Sequence, residues 1–229
     1  RSSAASDVYK RQIMALAAAL QQGISLDTNY SSAPYQLPGS DVVTNVGGGC
    51  GVCNLREATK QSLNTSFLRL QADLKNGTQD TADMAHALGV AKSLPGIEKT
   101  LTEKGKQPFE GIVLGQYQSR PLDMATAMST LANQGVWHNP HFVQRVENAA
   151  GEVLYEHPED EGERRVSSNV ANNVLEAMEP VAAWSNGALA GGRASASKTG
   201  TTQMGDTGNN KDAWMVGATP QLATACLLY

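Results

Sequence analysis

The chain has 229 residues, of which 41% are hydrophobic and 17% are charged, and its formal net charge is -4. Such a composition can bury a sizeable core and form one or two lobes. The absence of a basic cluster and the negative net charge argue against nucleic acid as a partner. The longest wholly apolar run, 13–20, falls far short of the roughly 20 residues that a membrane-spanning helix needs, so no such helix is predicted.

The two ends of the chain differ from the rest of it. Residues 1–12 contain no initiator Met and no signal peptide, and they resemble translated read-through of a sequencing adapter. Cys226-Leu227-Leu228-Tyr229 resembles the same kind of sequence. Such segments are set aside before a fold is inferred. We therefore expect residues 1–12 and 226–229 to be non-native and residues 13–225 to be an internal fragment of a natural domain.

Helices are predicted where apolar residues recur at helical spacing between start and stop signals. The predicted helices cover residues 13–22, 55–74, 81–88, 122–134 and 170–177. Asn54 and Glu57 have the spacing of a capping box before the second helix. Pro121 suits the first turn of the fourth, and Pro180 should limit the fifth.

A pair of cysteines closes the loop-like segment 24–54, in the string Cys50-Gly51-Val52-Cys53. The pair is compatible with half of a zinc site, a redox pair, a local disulfide or a reduced structural pair. No second cysteine pair follows, and the four histidines are scattered, so the pattern disfavours zinc. We predict neither a metal site nor a cofactor.

Two β-hairpins are predicted in the second half of the chain. The first joins residues 142–147 to 152–156. The second joins Lys198-Thr199-Gly200-Thr201-Thr202 to the apolar run 213–217 through a polar loop. Because Gly200 has no side chain to hold a ligand's backbone away, a peptide could pair with this strand. The plainer interpretation is a chance motif whose lysine guards an edge strand.

Ser62 and Asn64 lie two residues apart inside the predicted helix 55–74. Residues at i and i+2 of a continuous helix do not share a face. The two side chains therefore reach one site only if the helix breaks near Ser62. The plainer interpretation is an ordinary polar helix face.

Together, Ser62-Leu63-Asn64 and Lys198-Thr199-Gly200-Thr201 resemble the second and third motifs of penicillin-binding transpeptidases. The stretches around Pro121 and Asp212 are similar to the same family's helix and strands. The likeness covers nearly all of residues 13–225 and is strongest to bifunctional, high-molecular-mass (class A) enzymes of actinobacterial type. It implies an α/β (α+β) fold like that of penicillin-binding proteins and serine β-lactamases, truncated at both ends. In that fold an antiparallel sheet covered by helices lies beside a mostly helical lobe.

The resemblance implies acyl transfer in the cleft between the two parts. A serine attacks the D-Ala-D-Ala bond of a peptidoglycan stem peptide, and an amine then resolves the acyl-enzyme into a cross-link. β-Lactam antibiotics trap the same serine. Ser62 would relay a proton, Asn64 would hold the substrate amide, and Lys198 would supply positive potential.

The remaining expectations also come from the resemblance. The substrate-binding strand would comprise Thr199, Gly200, Thr201 and Thr202, with the hydroxyls of Thr199 and Thr201 on the terminal carboxylate. The Thr201 N–H would form half of an oxyanion hole. The family acts on the extracytoplasmic face of the bacterial membrane, to which only an upstream anchor would attach this domain. That oxidising setting favours a disulfide between Cys50 and Cys53.

The chain departs from the family at the nucleophile motif, Ser-x-x-Lys, which the family carries at the start of the helix that here begins near Ile13. In register, the serine would fall at Val8 and the lysine at Arg11. We therefore expect the nucleophile and its base to be absent and the chain as written to be inactive. Two alternatives stay open: a serine β-lactamase-like hydrolase, and a non-catalytic penicillin-binding sensor or scaffold domain.

Overall fold

A computed structural model describes residues 11–39, 42–203 and 210–228, with all their side chains except those of residues 202, 203, 210 and 211. Its α-helices are α1 (Gln12–Gln21), α2 (Leu55–Lys60), α3 (Asn64–Ala72), α4 (Thr78–Leu88), α5 (Pro121–Ala132) and α6 (Ser168–Trp184). Short 3-10 turns lie at Glu110–Leu114 and Ala190–Gly192.

The strands, in chain order, are β1 (Asn29–Ser31), β2 (Tyr35–Gln36), β3 (Val42–Val43), β4 (Val52–Asn54), β5 (Val136–Trp137), β6 (Arg145–Glu147), β7 (Val153–Glu156), β8 (Glu163–Arg164), β9 (Ala196–Gln203), β10 (Asn210–Thr219) and β11 (Leu222–Leu228). The last three form an antiparallel sheet in the order β11-β10-β9. The others pair in twos, as β1-β4, β2-β3, β5-β8 and β6-β7. Both predicted hairpins are confirmed.

The sheet turns one face toward the helices. Lys198 on β9 lies opposite Val216 on β10, and Val216 lies opposite Ala225 on β11, so the three share a face. Lys198 and Val216 are fully buried there. Helix α6 packs against β9, and α5 packs against β10 and β11. The predicted architecture, an antiparallel sheet covered by helices beside a mostly helical part, is thus confirmed.

Helix α1 is the centre of the helical part. Its residues 13–19 are at most 3% exposed, and α3, α4 and α6 pack around it. A helix that is apolar on every side must be enclosed in this way, as its Ala- and Leu-rich sequence indicates. No described helix is both long enough and apolar enough to cross a bilayer.

Helix α6 runs further than the sequence predicts. Ser167 accepts the capping hydrogen bond from the Val170 N–H, and the helix begins at Ser168, two residues before the predicted start at residue 170. Pro180 lies inside the helix, so the expectation that it limits the helix is wrong. The ring is on the exposed side, while Val181 and the residues around it continue the buried stripe, so packing holds the helix together where one backbone hydrogen bond is missing.

Residues near both ends take part in the fold. Arg11 is fully buried immediately before α1, and Cys226 to Leu228 pair with residues 213–215 of β10. Arg11 and residues 226–228 are therefore part of the fold that the structure describes. The non-native origin of residues 1–12 and 226–229 stays a prediction, and residues 1–10 and Tyr229 lie outside the described residues.

Candidate active site

Ser62 occupies a break between two helices. Helix α2 ends at Lys60 and α3 begins at Asn64, so the predicted interruption of the helix is confirmed. Ser62 itself has a φ of 56°, in the left-handed region. A non-glycine residue there costs roughly 1–2 kcal/mol, and such residues cluster at functional sites. The turn thus exposes a hydroxyl that a continuous helix would direct elsewhere.

Lys198 reaches this turn from the sheet. Its ammonium donates hydrogen bonds to Ser62 Oγ at 2.7 Å and to the Thr199 carbonyl at 2.8 Å. The side chain is fully buried although 136 residues separate it from Ser62 in sequence. Two of the three predicted catalytic side chains therefore meet between the sheet and the helical part.

Gln12 completes the cluster from the first turn of α1. Ser62 Oγ donates to Gln12 Oε1 at 3.0 Å, and Gln12 Nε2 donates to the Ser62 carbonyl at 3.4 Å. A hydrogen-bond chain thus runs from Lys198 through Ser62 to Gln12. Sequence reasoning missed Gln12 because it was set aside with residues 1–12. Its position, directly before the first predicted helical residue, was the signal available.

Arg11 is directed to a different part of the molecule. Its guanidinium donates to the carbonyls of Tyr117 and Gln118, at 2.6 and 3.0 Å, and to Ser119 Oγ at 2.6 Å. The expected register, with Arg11 in the place of the family's lysine, is therefore wrong by one residue. Successive helical positions point about 100° apart, so Arg11 and Gln12 cannot face the same group. Gln12 is the one whose side chain contacts Ser62.

Asn64 begins α3, and its amide is held in one orientation. Its Nδ2 donates to the Thr44 carbonyl at 3.3 Å. Its Oδ1 is buried and accepts no hydrogen bond from any described residue. Buried acceptors are rarely left without a donor, so this oxygen marks a place where a donor from another group fits. No described hydrogen bond joins Asn64 to Lys198.

The strand β9 forms one edge of the three-stranded sheet. Thr199 is half-buried, Thr201 is exposed, and the buried Gly200 lies opposite Trp214. Thr202 is paired with Asp212, and its side chain lies outside the described part. Within the described residues β9 pairs with β10 alone, so its other edge is available to an added strand.

The letters Ser-x-x-Lys occur once in the sequence, at Ser195-Ala196-Ser197-Lys198. This match enters strand β9 rather than the start of a helix. Residues three apart on a strand project from opposite faces. Lys198 therefore cannot serve as the base of Ser195, and the match is not a nucleophile motif.

The cysteine pair lies immediately before α2. Cys50 and Cys53 form a disulfide, with their Cα atoms 5.9 Å apart. Asn54, the next residue, caps α2 by accepting a hydrogen bond from the Glu57 N–H at 3.0 Å. The disulfide therefore closes a small loop that leads directly into the helix before Ser62.

The sequence matches the family described as the penicillin-binding protein transpeptidase domain over residues 10–228. It is 56% identical over 218 residues to penicillin-binding protein 1A of Mycolicibacterium smegmatis. This match covers 93% of this chain and 28% of that protein. The chain thus spans little more than a quarter of the length of this curated relative.

Two solved structures have the same fold. PonA1, a penicillin-binding protein of Mycobacterium tuberculosis, superimposes with a TM-score of 0.92 and 52% identity over 97% of this chain and 58% of that one. The complex of PonA1 with penicillin V gives a TM-score of 0.90 and 53% identity over 97% of this chain and 59% of that one. This chain therefore belongs to the transpeptidase-domain family of the penicillin-binding proteins, and it resembles the high-molecular-mass 1A type of mycobacteria.

Proposed function

We propose that this chain is the acyl-transfer part of a D,D-transpeptidase that cross-links peptidoglycan stem peptides through an acyl-serine intermediate. It acts on the cell-wall side of the bacterial membrane, and β-lactams are its inhibitors. The observation that carries the proposal is the hydrogen-bond chain from Lys198 through Ser62 to Gln12, beside the open edge of β9. This series of hydrogen bonds joins the cation of Lys198, the hydroxyl of Ser62, which would relay a proton, and position 12, where the family's base would lie.

The cleft suits a peptide that ends in a carboxylate. The buried ammonium of Lys198 supplies a positive potential that attracts the anion and leaves Ser62 oriented. The substrate backbone adds to β9 as an antiparallel strand, next to Gly200. The hydroxyls of Thr199 and Thr201 hold the terminal carboxylate, and the Thr201 N–H stabilises the oxyanion that forms when the scissile carbonyl is attacked.

The nucleophile and its base are missing from the sequence as written. Gln12 stands where the base belongs, and its carboxamide does not accept a proton at neutral pH. The motif spacing then assigns the nucleophile position to Tyr9, three residues earlier and outside the described residues. A lysine at position 12 would lie within reach of Ser62 Oγ, and we expect it to donate to Asn64 Oδ1 as well.

The test is incubation with a fluorescent penicillin followed by a denaturing gel. We expect no covalent band from the chain as written, and a band from the double variant Tyr9→Ser/Gln12→Lys and from a chain that carries the natural upstream segment. The matched control, Val8→Ser/Arg11→Lys, places the same two residues one position earlier and should stay unlabelled. A band from the chain as written, or no band from both completed chains, would overturn the proposal.

The same gel distinguishes the two related functions. A transpeptidase retains its penicilloyl group after the free antibiotic is removed, because it has no additional base to activate water, whereas a β-lactamase-like hydrolase loses the label rapidly. A sensor or scaffold domain binds the antibiotic without a covalent band even when the Ser and Lys are supplied.

A further inference from the structure

The first turn of α3 is capped by a residue from another part of the chain. Its own N-cap residue, Leu63, has no side-chain acceptor, so the Thr65 N–H needs a partner from elsewhere. Asn45 supplies it: Asn45 Oδ1 accepts from the Thr65 N–H at 3.1 Å, and Asn45 Nδ2 donates to Thr65 Oγ1 at 2.8 Å. One amide thus holds the helix start that carries Asn64.

The residue before Asn45 holds Asn64 directly. The Thr44 carbonyl accepts one of the two N–H groups of the Asn64 amide. This contact fixes the rotation of the amide, with Nδ2 toward Thr44 and the buried, unpartnered Oδ1 away from it. Among the described residues Thr44 alone accepts from Nδ2, so its second N–H can donate to a substrate carbonyl.

The segment that carries Thr44 and Asn45 is tied to the disulfide. Asn45 Nδ2 also donates to the Ser32 carbonyl at 2.9 Å. Ser32 in turn donates from its N–H, at 2.8 Å, and from Oγ, at 3.1 Å, to the carbonyl of Gly51, which lies between the two cysteines. A side chain at Gly49 would collide with Ser32, so the loop can approach this closely only with glycine there.

We propose that Asn45 is a positioning residue for the acyl-transfer reaction: together with the Thr44 carbonyl, it sets the place and the rotation of the Asn64 amide. This inference rests on the proposed function of the site. The disulfide-closed loop supports Asn45 through Ser32. The position of the Asn64 amide therefore depends on residues 44 and 45, which lie outside the three sequence motifs.

The kinetic test uses the acylation-competent chain, either Tyr9→Ser/Gln12→Lys or the chain with its natural upstream segment. Asn45→Ala should lower the acylation rate constant by about ten- to a hundredfold, the size of effect that misplacement of a substrate-positioning group produces. The penicillin concentration at half-saturation should change by less than about twofold, because most binding contacts remain. Asn45→Asp keeps the acceptor for the Thr65 N–H, and a carboxylate suits a helix N-terminus, but it loses the donor to the Ser32 carbonyl, so it should restore only part of the rate.

The matched control is Asn148→Ala. Asn148 Oδ1 likewise accepts backbone N–H groups, those of Ala150 and Glu152, but it does so in the turn between β6 and β7. We expect the acylation rate of Asn148→Ala to be unchanged. If Asn45→Ala does not fold, Asn45→Ser takes its place, because its shorter side chain cannot bridge Thr65 and Ser32.

A second measurement separates this proposal from the proposed function. In the chain as written, the side-chain amide resonances of Asn64 should shift in Asn45→Ala and return toward their original positions in Asn45→Asp. Unchanged Asn64 resonances would overturn the positioning role whether or not any variant is acylated. Shifted resonances with an unchanged acylation rate would overturn it as well. Failure of every completed chain to acylate would overturn the proposed function, and the Asn64 resonances would still decide whether Asn45 orients this amide.

Discussion

Two cations in the interior of the molecule differ from a cation of the β6–β7 hairpin in their exposure to water. Lys198 and Arg11 are fully buried and donate to hydroxyl and carbonyl oxygens. Arg145, on the hairpin, has 47% of its side chain exposed and pairs with the carboxylates of Glu147 and Glu156. A charge removed from water is costly to keep, but it produces a strong and fixed potential. An exposed ion pair costs little and contributes little.

Burying a cation lowers stability, so a buried cation suggests a role in structure or in function. Under the proposed function, the positive potential of Lys198 attracts an anionic ligand that lies beside β9. Arg11 stabilises instead the chain segment 117–119, which leads into α5. The hairpin arginine serves neither purpose, because water screens it.

The largest effect is expected from removing the buried ammonium. In the acylation-competent chain, Lys198→Met should lower the rate of penicillin acylation by about 10²–10³-fold, as the loss of a preorganised electrostatic group does. The free energy of unfolding should fall by about 1–3 kcal/mol, because Ser62 Oγ and the Thr199 carbonyl lose a charged donor while the cost of burying the ammonium is removed. The rate comes from time-resolved gels and the stability from urea unfolding.

The control for this variant is Arg145→Met, which removes an exposed cation and should leave the acylation rate unchanged. If Lys198→Met acylates within tenfold of its parent, buried charge in this cluster has no part in the reaction, and the comparison between the two regions loses its functional meaning.

The next largest effect concerns stability. Arg11→Met leaves two carbonyls and the Ser119 hydroxyl without their donor, and hydrogen bonds to a charged group contribute roughly 1.5–3 kcal/mol each. We expect the free energy of unfolding to fall by about 3 kcal/mol, since the segment 117–119 relaxes in part. Arg145→Met should cost less than about 1 kcal/mol, as exposed ion pairs do. Equal losses in urea unfolding of the two variants would contradict the contrast.

Local signals in the sequence predicted much of the fold. The spacing of apolar residues located α1 to within one residue, and Asn54 caps α2 as the pattern indicated. The break at Ser62 followed from asking how two side chains at i and i+2 can face one site. The prediction that the last helix stops near Pro180 failed. Burial of the neighbouring helix face outweighs the local preference of proline against a helix.

The site itself was less accessible to sequence reasoning. The meeting of Lys198 and Ser62 follows from two motifs, but Gln12 depends on a register of one residue, which changes the direction of a helical side chain by about 100°. Asn45 acts on Thr65, 20 residues away, through a side chain to backbone hydrogen bond. No periodicity or spacing marks such a contact, because it depends on how the intervening loop is folded.

The third prediction concerns the stability that the Cys50–Cys53 disulfide gives to the loop that it closes. The turn between β6 and β7 has no such cross-link. A cross-link between residues three apart should contribute well under the ~3 kcal/mol of a 15-residue loop, so Cys50→Ser/Cys53→Ser should lower the free energy of unfolding by about 1 kcal/mol. The variant loses only part of the support for Asn45. Mass spectrometry of the unreduced protein that finds two free thiols at Cys50 and Cys53 would remove the basis of this prediction.

The smallest effect concerns the pH dependence of stability and two aspartates, one in the helical part and one after the hairpin. Burial raises the pKa of Asp80, but hydrogen bonds from the Asn76 side chain and N–H and from Gln22 outweigh burial and hold it below its usual value. Hydrogen bonds from the N–H groups of Asn139 and Gly162 lower the pKa of Asp160, which lies at the surface.

A carboxylate with a lowered pKa in the folded state stabilises the fold above its unfolded pKa, about 3.9 for aspartate, and that stability is lost as pH falls through the folded pKa. Asp80→Asn should therefore flatten the decline in stability below about pH 4. The unfolded pKa sets this upper end of the pH range in which the stability is lost. Asp160→Asn should flatten it less, because solvent screens its interactions. Urea unfolding of both variants and the parent from about pH 2.5 to pH 6, which brackets that unfolded pKa, measures the two slopes. A larger change for Asp160→Asn than for Asp80→Asn would show that exposure does not decide how strongly these hydrogen bonds act.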